Sequence, residues 1–155
     1  MPLEYVVLHQ GTFVYTRAHG ILTDDDLILH EQELAADPHV APGFRQIIDC
    51  RWVADDRVTE ALVPRLTRLH AKVVDKIRGA RYAIIAHSDQ WFEVGTLYRG
   101  DPFHITLIVF NEPSTACIWL GVDLNTLRIH HADKEPTPPL VRHMSHELAP
   151  IGLFP

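Results

Sequence analysis

The chain has 155 residues, enough for one domain with a full hydrophobic core and short for two. Its 46% hydrophobic and 22% charged residues give the balance of an ordinary globular protein and exclude a disordered one. The formal charge is −6, from 14 basic and 20 acidic residues with no run of Lys and Arg, so nucleic acid is not an expected partner.

Residues 3–9 and 12–18, rich in Val, Tyr and Phe, are expected to form a hairpin around Gln10-Gly11, with Gly20 breaking the second strand. Thr23 then opens a first helix as its N-cap, with Asp24, Asp25 and Asp26 placing negative charge at the positive helix end. These consecutive carboxylates point in different directions, so they are read as capping and not as a metal site. Leu27, Ile28, Leu34 and Ala35 form the apolar face, and Asp37-Pro38 closes the helix.

Gln46 to Cys50 is expected to be a short buried strand, followed by a charged loop from Arg51 to Val58. A second helix is expected from about Thr59 to Ile77, on the stripe Leu62, Leu66, Leu69, Val73 and Ile77. Pro64 predicts that this helix is kinked or begins later than Thr59.

Tyr82 to Ala86 gives the next strand. Ser88 is expected to cap a third helix carrying Trp91, Val94 and Tyr98, which Gly100-Asp101-Pro102 ends. His104 to Phe110 is a further strand. Asn111 is expected to cap a fourth helix through Pro113 and Trp119, with Gly121 as a left-handed C-terminal cap. Leu127 and Ile129 then alternate like a short strand, residues 133–139 read as a linker, and residues 140–148 as a short helix. The apolar end, Ile151 to Phe154, is expected to dock on the domain's own core or on a second subunit. The whole reads as an α/β domain with a mixed central sheet, an N-terminal hairpin, about five strands and four helices, and a C-terminal tail.

The longest apolar run, Ile105 to Phe110, is far below the roughly 20 residues of a membrane span. The first residues lack the basic and apolar regions of a signal peptide, and Cys50 and Cys117 read as buried free thiols, so a cytoplasmic location is expected. The 11 histidines are scattered along the chain, and protonating all of them would turn its formal charge from negative to positive.

Few residues carry recognisable chemistry. The eight glycines spell neither a dinucleotide loop nor a P-loop, and none of the three serines lies in a nucleophile elbow. His130-His131 and His143-x-x-His146 lack a carboxylate or cysteine at ligand spacing, so no metal and no cofactor is expected. Two candidate binding regions stand out. One is the segment with Asp49, Arg51, Trp52, Asp55 and Thr59, at the strand end where open α/β sheets tend to hold ligands. The other is a groove between the second and third helices, with Trp91, Phe92 and Tyr98 at its rim or wall.

The segments from Gly20 to Leu27, Leu34 to Pro38 and Pro42 to Asp49, with Ala83 to Ala86, Phe110 and Ile118 to Gly121, resemble the SpoIIAA-like branch of the STAS superfamily. The resemblance implies a STAS-like domain over residues 1–123 and an extension over 124–155. It implies a non-enzymatic regulatory or binding module for a protein partner or a small apolar, lipid-like ligand of the kind some relatives hold, with membrane association, if any, expected to be peripheral and not integral. The regulatory members place a phosphorylatable serine at the start of the helix after the third strand. Here residues 51–58 hold no Ser or Thr, and the first hydroxyl is Thr59, which reads as an N-cap. The alternatives are an adaptor that forms a homodimer through its tail, and an enzyme with dispersed Asp, His and Arg groups.

Overall fold

The computed structural model describes residues 2–100 and 103–128. Five strands form one sheet in sequence order: β1 (Leu3–Leu8), β2 (Phe13–Thr23), β3 (Arg45–Arg57), β4 (Arg81–Ile85) and β5 (Thr106–Phe110). β1 pairs antiparallel with β2 and every later pair is parallel, which gives the mixed sheet with an N-terminal hairpin. The helices are α1 (Asp24–Ala36), α2 (Leu62–Lys72), α3 (Val74–Ile77), α4 (Asp89–Leu97) and α5 (Pro113–Leu120).

Consecutive parallel strands with crossovers of one hand put every connecting helix on the same face. α1, α2 and α4 accordingly share one core with the inward residues Val14, Ile48, Tyr82 and Ile84. α5 follows the last strand and covers the opposite face, where Phe13, Ile47, Ala83 and Ile85 meet Ala116, Cys117 and Leu120. The alternation of strand side chains sorts the two cores. Among the described residues no helix is long and apolar enough to cross a membrane.

Local chemistry sets the element ends. In the hairpin His9, Gln10 and Gly11 all have positive φ. A Cβ on Gly11 would stand 2.5 Å from the His39 carbonyl, so only glycine fits there. Thr23 and Asp26 form a capping box, the Thr23 amide donating to Asp26 Oδ2 at 3.0 Å. Pro64 occupies the first turn of α2, where its missing N–H costs nothing, so that helix begins later than Thr59. Gly121 takes the left-handed C-cap of α5 at φ 71°.

Several expectations need correction. Gly20 does not end β2; the strand runs on to Thr23 through register shifts beside it. That extension gives β3 a partner, so the expected loop over residues 51–58 is instead strand through Arg57, paired from His19↔Trp52 to Thr23↔Arg57. The second helix breaks at Val73, leaving the short α3. Ser88 makes no cap bond and donates its hydroxyl to Asp56 Oδ2 at 2.9 Å. The N-cap of α5 is Glu112, not Asn111. Residues 124–128 are helical, not strand. The Asp123 side chain starts them by accepting from the Asn125 amide at 2.9 Å. Leu127 is buried in the second core. The expected linker, final helix, docking tail and the histidines from 130 onward lie outside the described residues.

Candidate functional site

Two polar centres lie on opposite faces of the sheet, and the predicted site residues divide between them and the surface. The first centre is on the α5 face. Asp49 and Arg51 are two apart on β3, so both side chains point the same way, and Asp49 stands opposite Arg17 of β2. Asp49 is fully buried. It accepts from Tyr15 at 2.9 Å and from the Arg51 guanidinium at 2.9 and 2.7 Å. This bidentate pairing is the strong geometry for a buried carboxylate. Burial and the Asp49 charge push the Tyr15 phenol well above its ordinary value, so it stays a neutral donor.

The rest of the predicted strand-end site disperses. Trp52 is half-buried, with the Arg51 guanidinium carbon 5.9 Å from its ring centroid. Asp55 forms a surface ion pair with Arg57 at 2.8 Å. Thr59 lies beyond the strand and is not the N-cap of α2, which is Ala61: its hydroxyl accepts from the Ala61 amide at 3.2 Å and donates to Asp24 Oδ2, and its own amide donates to Asp24 Oδ1 at 2.9 Å. Thr59 therefore ties the entry of α2 to the first turn of α1.

The second centre lies between the sheet and α1, α2 and α4. Trp91 and Tyr98 point into it, whereas Phe92 of the same helix is 40% exposed. Three residues not singled out from the sequence complete it: Glu31, His70 and Tyr82, all buried. Tyr82 donates to Glu31 Oε1 at 2.5 Å, and His70 Nδ1 lies 2.9 Å from the Tyr98 hydroxyl. His70 Nε2 stands 3.8 Å from Glu31 Oε1. Burial first, and the Glu31 charge second, push both phenols up. A signal for two of these residues was present. Glu31 follows Leu27 by four and precedes Leu34 by three, and His70 follows Leu66 by four, so each is a polar residue at a core position of its helix.

These side chains line a cavity of about 20 Å³, walled elsewhere by aliphatic groups including Leu27, Leu62 and Ile84. Glu31 Oε2, His70 Nε2 and Trp91 Nε1 belong to its lining residues, and none has a hydrogen-bond partner among the described residues. Such orphaned groups cost about 1–3 kcal/mol each if nothing else satisfies them. The volume suits about one water or one small polar group.

A third polar group on this face joins Gln46, Thr16 and His30, and leaves the buried Gln46 Oε1 without a hydrogen-bond partner among the described residues. Gln46 Nε2 lies 2.8 Å from both Thr16 Oγ1 and His30 Nε2. Burial holds the His30 pKa below its ordinary value. Among the described residues no three His, Cys, Asp or Glu side chains gather in a way that could hold a metal ion.

No family model matches the chain. No curated protein matches it either. Among solved structures it is similar to an uncharacterised protein of the DUF3478 family, with a SpoIIAA-like fold, from Shewanella loihica PV-4. The identity is 16%, covering 76% of this chain and 93% of that one, with a TM-score of 0.48. At that score the likeness concerns the course of the chain and carries no argument for the site.

Proposed function

We propose that the protein is a non-enzymatic binding module of the STAS kind, holding a small, largely apolar molecule by one polar end in the chamber beneath α2 and α4. The observation that carries this reading is that Glu31, His70 and Trp91, whose Oε2, Nε2 and Nε1 have no hydrogen-bond partner among the described residues, all line one small, apolar-walled cavity. An apolar pocket with a few converging polar groups is the general form of a small-molecule site. In the closed geometry only the polar end of a ligand fits, so the apolar part enters by separating α2 from α4. The break after α2 at Val73 offers a place for that movement.

The non-enzymatic part rests on how the reactive groups are held. Burial pushes the Cys50 thiol well above its ordinary value and the Cys117 thiol up to about 11, so neither is a thiolate at neutral pH. Asp49, the most plausible base at the strand end, is locked by Arg51 and Tyr15.

The test is native mass spectrometry of the purified protein before and after denaturation, beside the double variant Glu31→Met/Tyr82→Phe. A small mass released from the natural chain and missing from the folded variant is the expected result. No released mass, or the same mass from both, contradicts the reading.

A further inference from the structure

The polarity of the chamber's unpartnered atoms follows from its two tyrosines. Burial first, and the Glu31 charge second, keep both phenols neutral, so each hydroxyl has a proton to give. Tyr82 gives its proton to Glu31 Oε1 at 2.5 Å. The Tyr98 hydroxyl has His70 Nδ1, at 2.9 Å, as its hydrogen-bond partner among the described residues. A buried hydroxyl without an acceptor is costly, so Tyr98 donates and Nδ1 accepts. The imidazole proton then sits on Nε2. A doubly protonated ring would also carry one there, which makes Nε2 a donor in either state.

The atoms left over therefore differ in kind. Glu31 Oε2 accepts, whereas His70 Nε2 and Trp91 Nε1 donate, and none of the three has a hydrogen-bond partner among the described residues. Glu31 and His70 stand together, with His70 Nε2 3.8 Å from Glu31 Oε1. All three residues line the cavity of about 20 Å³, whose volume suits about one oxygen atom. No Lys or Arg is among its lining residues.

We infer that the polar end held in the chamber is a hydroxyl, so that the ligand is an apolar alcohol and not an acid or an amine. This rests on the chamber being the binding site proposed above, and adds which chemistry it selects. A hydroxyl has one proton and two lone pairs. The proton goes to Glu31 Oε2, one lone pair takes the His70 N–H, and the other is left for the Trp91 indole N–H. A carboxylate or phosphate would bring a second negative charge beside Glu31, with no Lys or Arg in the wall to offset it. An ammonium suits Glu31 but has no lone pair for either N–H. A ketone or ether accepts but leaves Glu31 without a proton. A site built to bond a hydroxyl rejects an analogue lacking it, because its own buried polar groups are then left unpaired.

Calorimetric titration of the full chain at neutral pH with hexan-1-ol, its isomer 1-methoxypentane, hexanoate and hexylamine tests the assignment. Hexan-1-ol is expected to bind about tenfold more tightly than each of the other three, or better. In Glu31→Gln the amide oxygen serves Tyr82 and an N–H donor replaces Oε2, so the alcohol should lose about tenfold in affinity and its lead over the ether. Equal or tighter binding of the ether, the acid or the amine overturns the hydroxyl assignment and leaves the chamber as a binding site. An alcohol preference that E31Q leaves unchanged arises outside the chamber and also overturns it. No saturable binding of any of the four overturns the assignment and the proposed site together. If E31Q does not fold, the ranking of the four compounds on the natural chain decides by itself.

Discussion

The two polar centres use similar residues to opposite ends. On the α5 face Asp49 is surrounded: the amide and two guanidinium nitrogens of Arg51, with the Tyr15 hydroxyl, donate to its oxygens. On the other face Glu31 receives one phenol, and it lines a cavity with His70 and Trp91; its second oxygen, the His70 Nε2 and the Trp91 Nε1 have no hydrogen-bond partner among the described residues. A closed charge cluster adds rigidity and resists ligand entry. An open one is unstable by itself and has a place for something else. Burial alone therefore does not mark a site; incomplete satisfaction beside free volume does.

If this contrast holds, Asp49→Ala gives the largest loss. It leaves Arg51 and Tyr15 facing an absent carboxylate, and urea unfolding should show about 3–5 kcal/mol of lost stability. Loss below 1 kcal/mol would remove the closed-cluster interpretation.

In the chamber the order is reversed. Tyr82→Phe alone strips Glu31 of its donor and should cost about 1.5–3 kcal/mol. Adding Glu31→Met removes the orphaned charge too, so the double variant should recover to within about 1 kcal/mol of the natural chain or exceed it. Additive losses in the pair would show that Glu31 serves stability after all.

A smaller effect sharpens the comparison through pH. Burial holds His30 below the 6.5 of a free imidazole, so the unfolded chain binds that proton first as pH falls. The stability contributed by neutral His30 is complete above about pH 6.5 and declines as pH drops through and below it. Unfolding midpoints across that range should therefore fall less steeply in His30→Gln than in the natural chain. Equal slopes would contradict the burial effect.

The smallest effect belongs to the surface. Thr59→Glu sets a second carboxylate against Asp24 and should cost less than about 1 kcal/mol, read as a lower melting temperature that added salt partly restores. A rise in melting temperature would show that negative charge is welcome at that position.

Much of the fold was legible because its signals are local. Thr23 with Asp26, Pro64 near a helix start and Gly121 at a helix end each act within one turn of chain. The long second half of β3 was not, since Arg51 to Arg57 are strand only because β2 continues past Gly20 beside them. Polar residues in an extended ribbon look like a loop until their partner is known. Of the candidate residues, Trp91 and Tyr98 fall in the chamber and Asp49 and Arg51 in the closed cluster. Glu31 and His70 were hidden in plain helical spacing, where one polar residue in an apolar stripe is easily passed over.

The most direct measurement is the electron density of the protein crystallised as purified. The account predicts a bound species larger than one water, with its polar end on Glu31, His70 and Trp91, and Asp49 contacted only by the protein's own groups. An empty chamber, or a lone water bridging those three atoms, would contradict it.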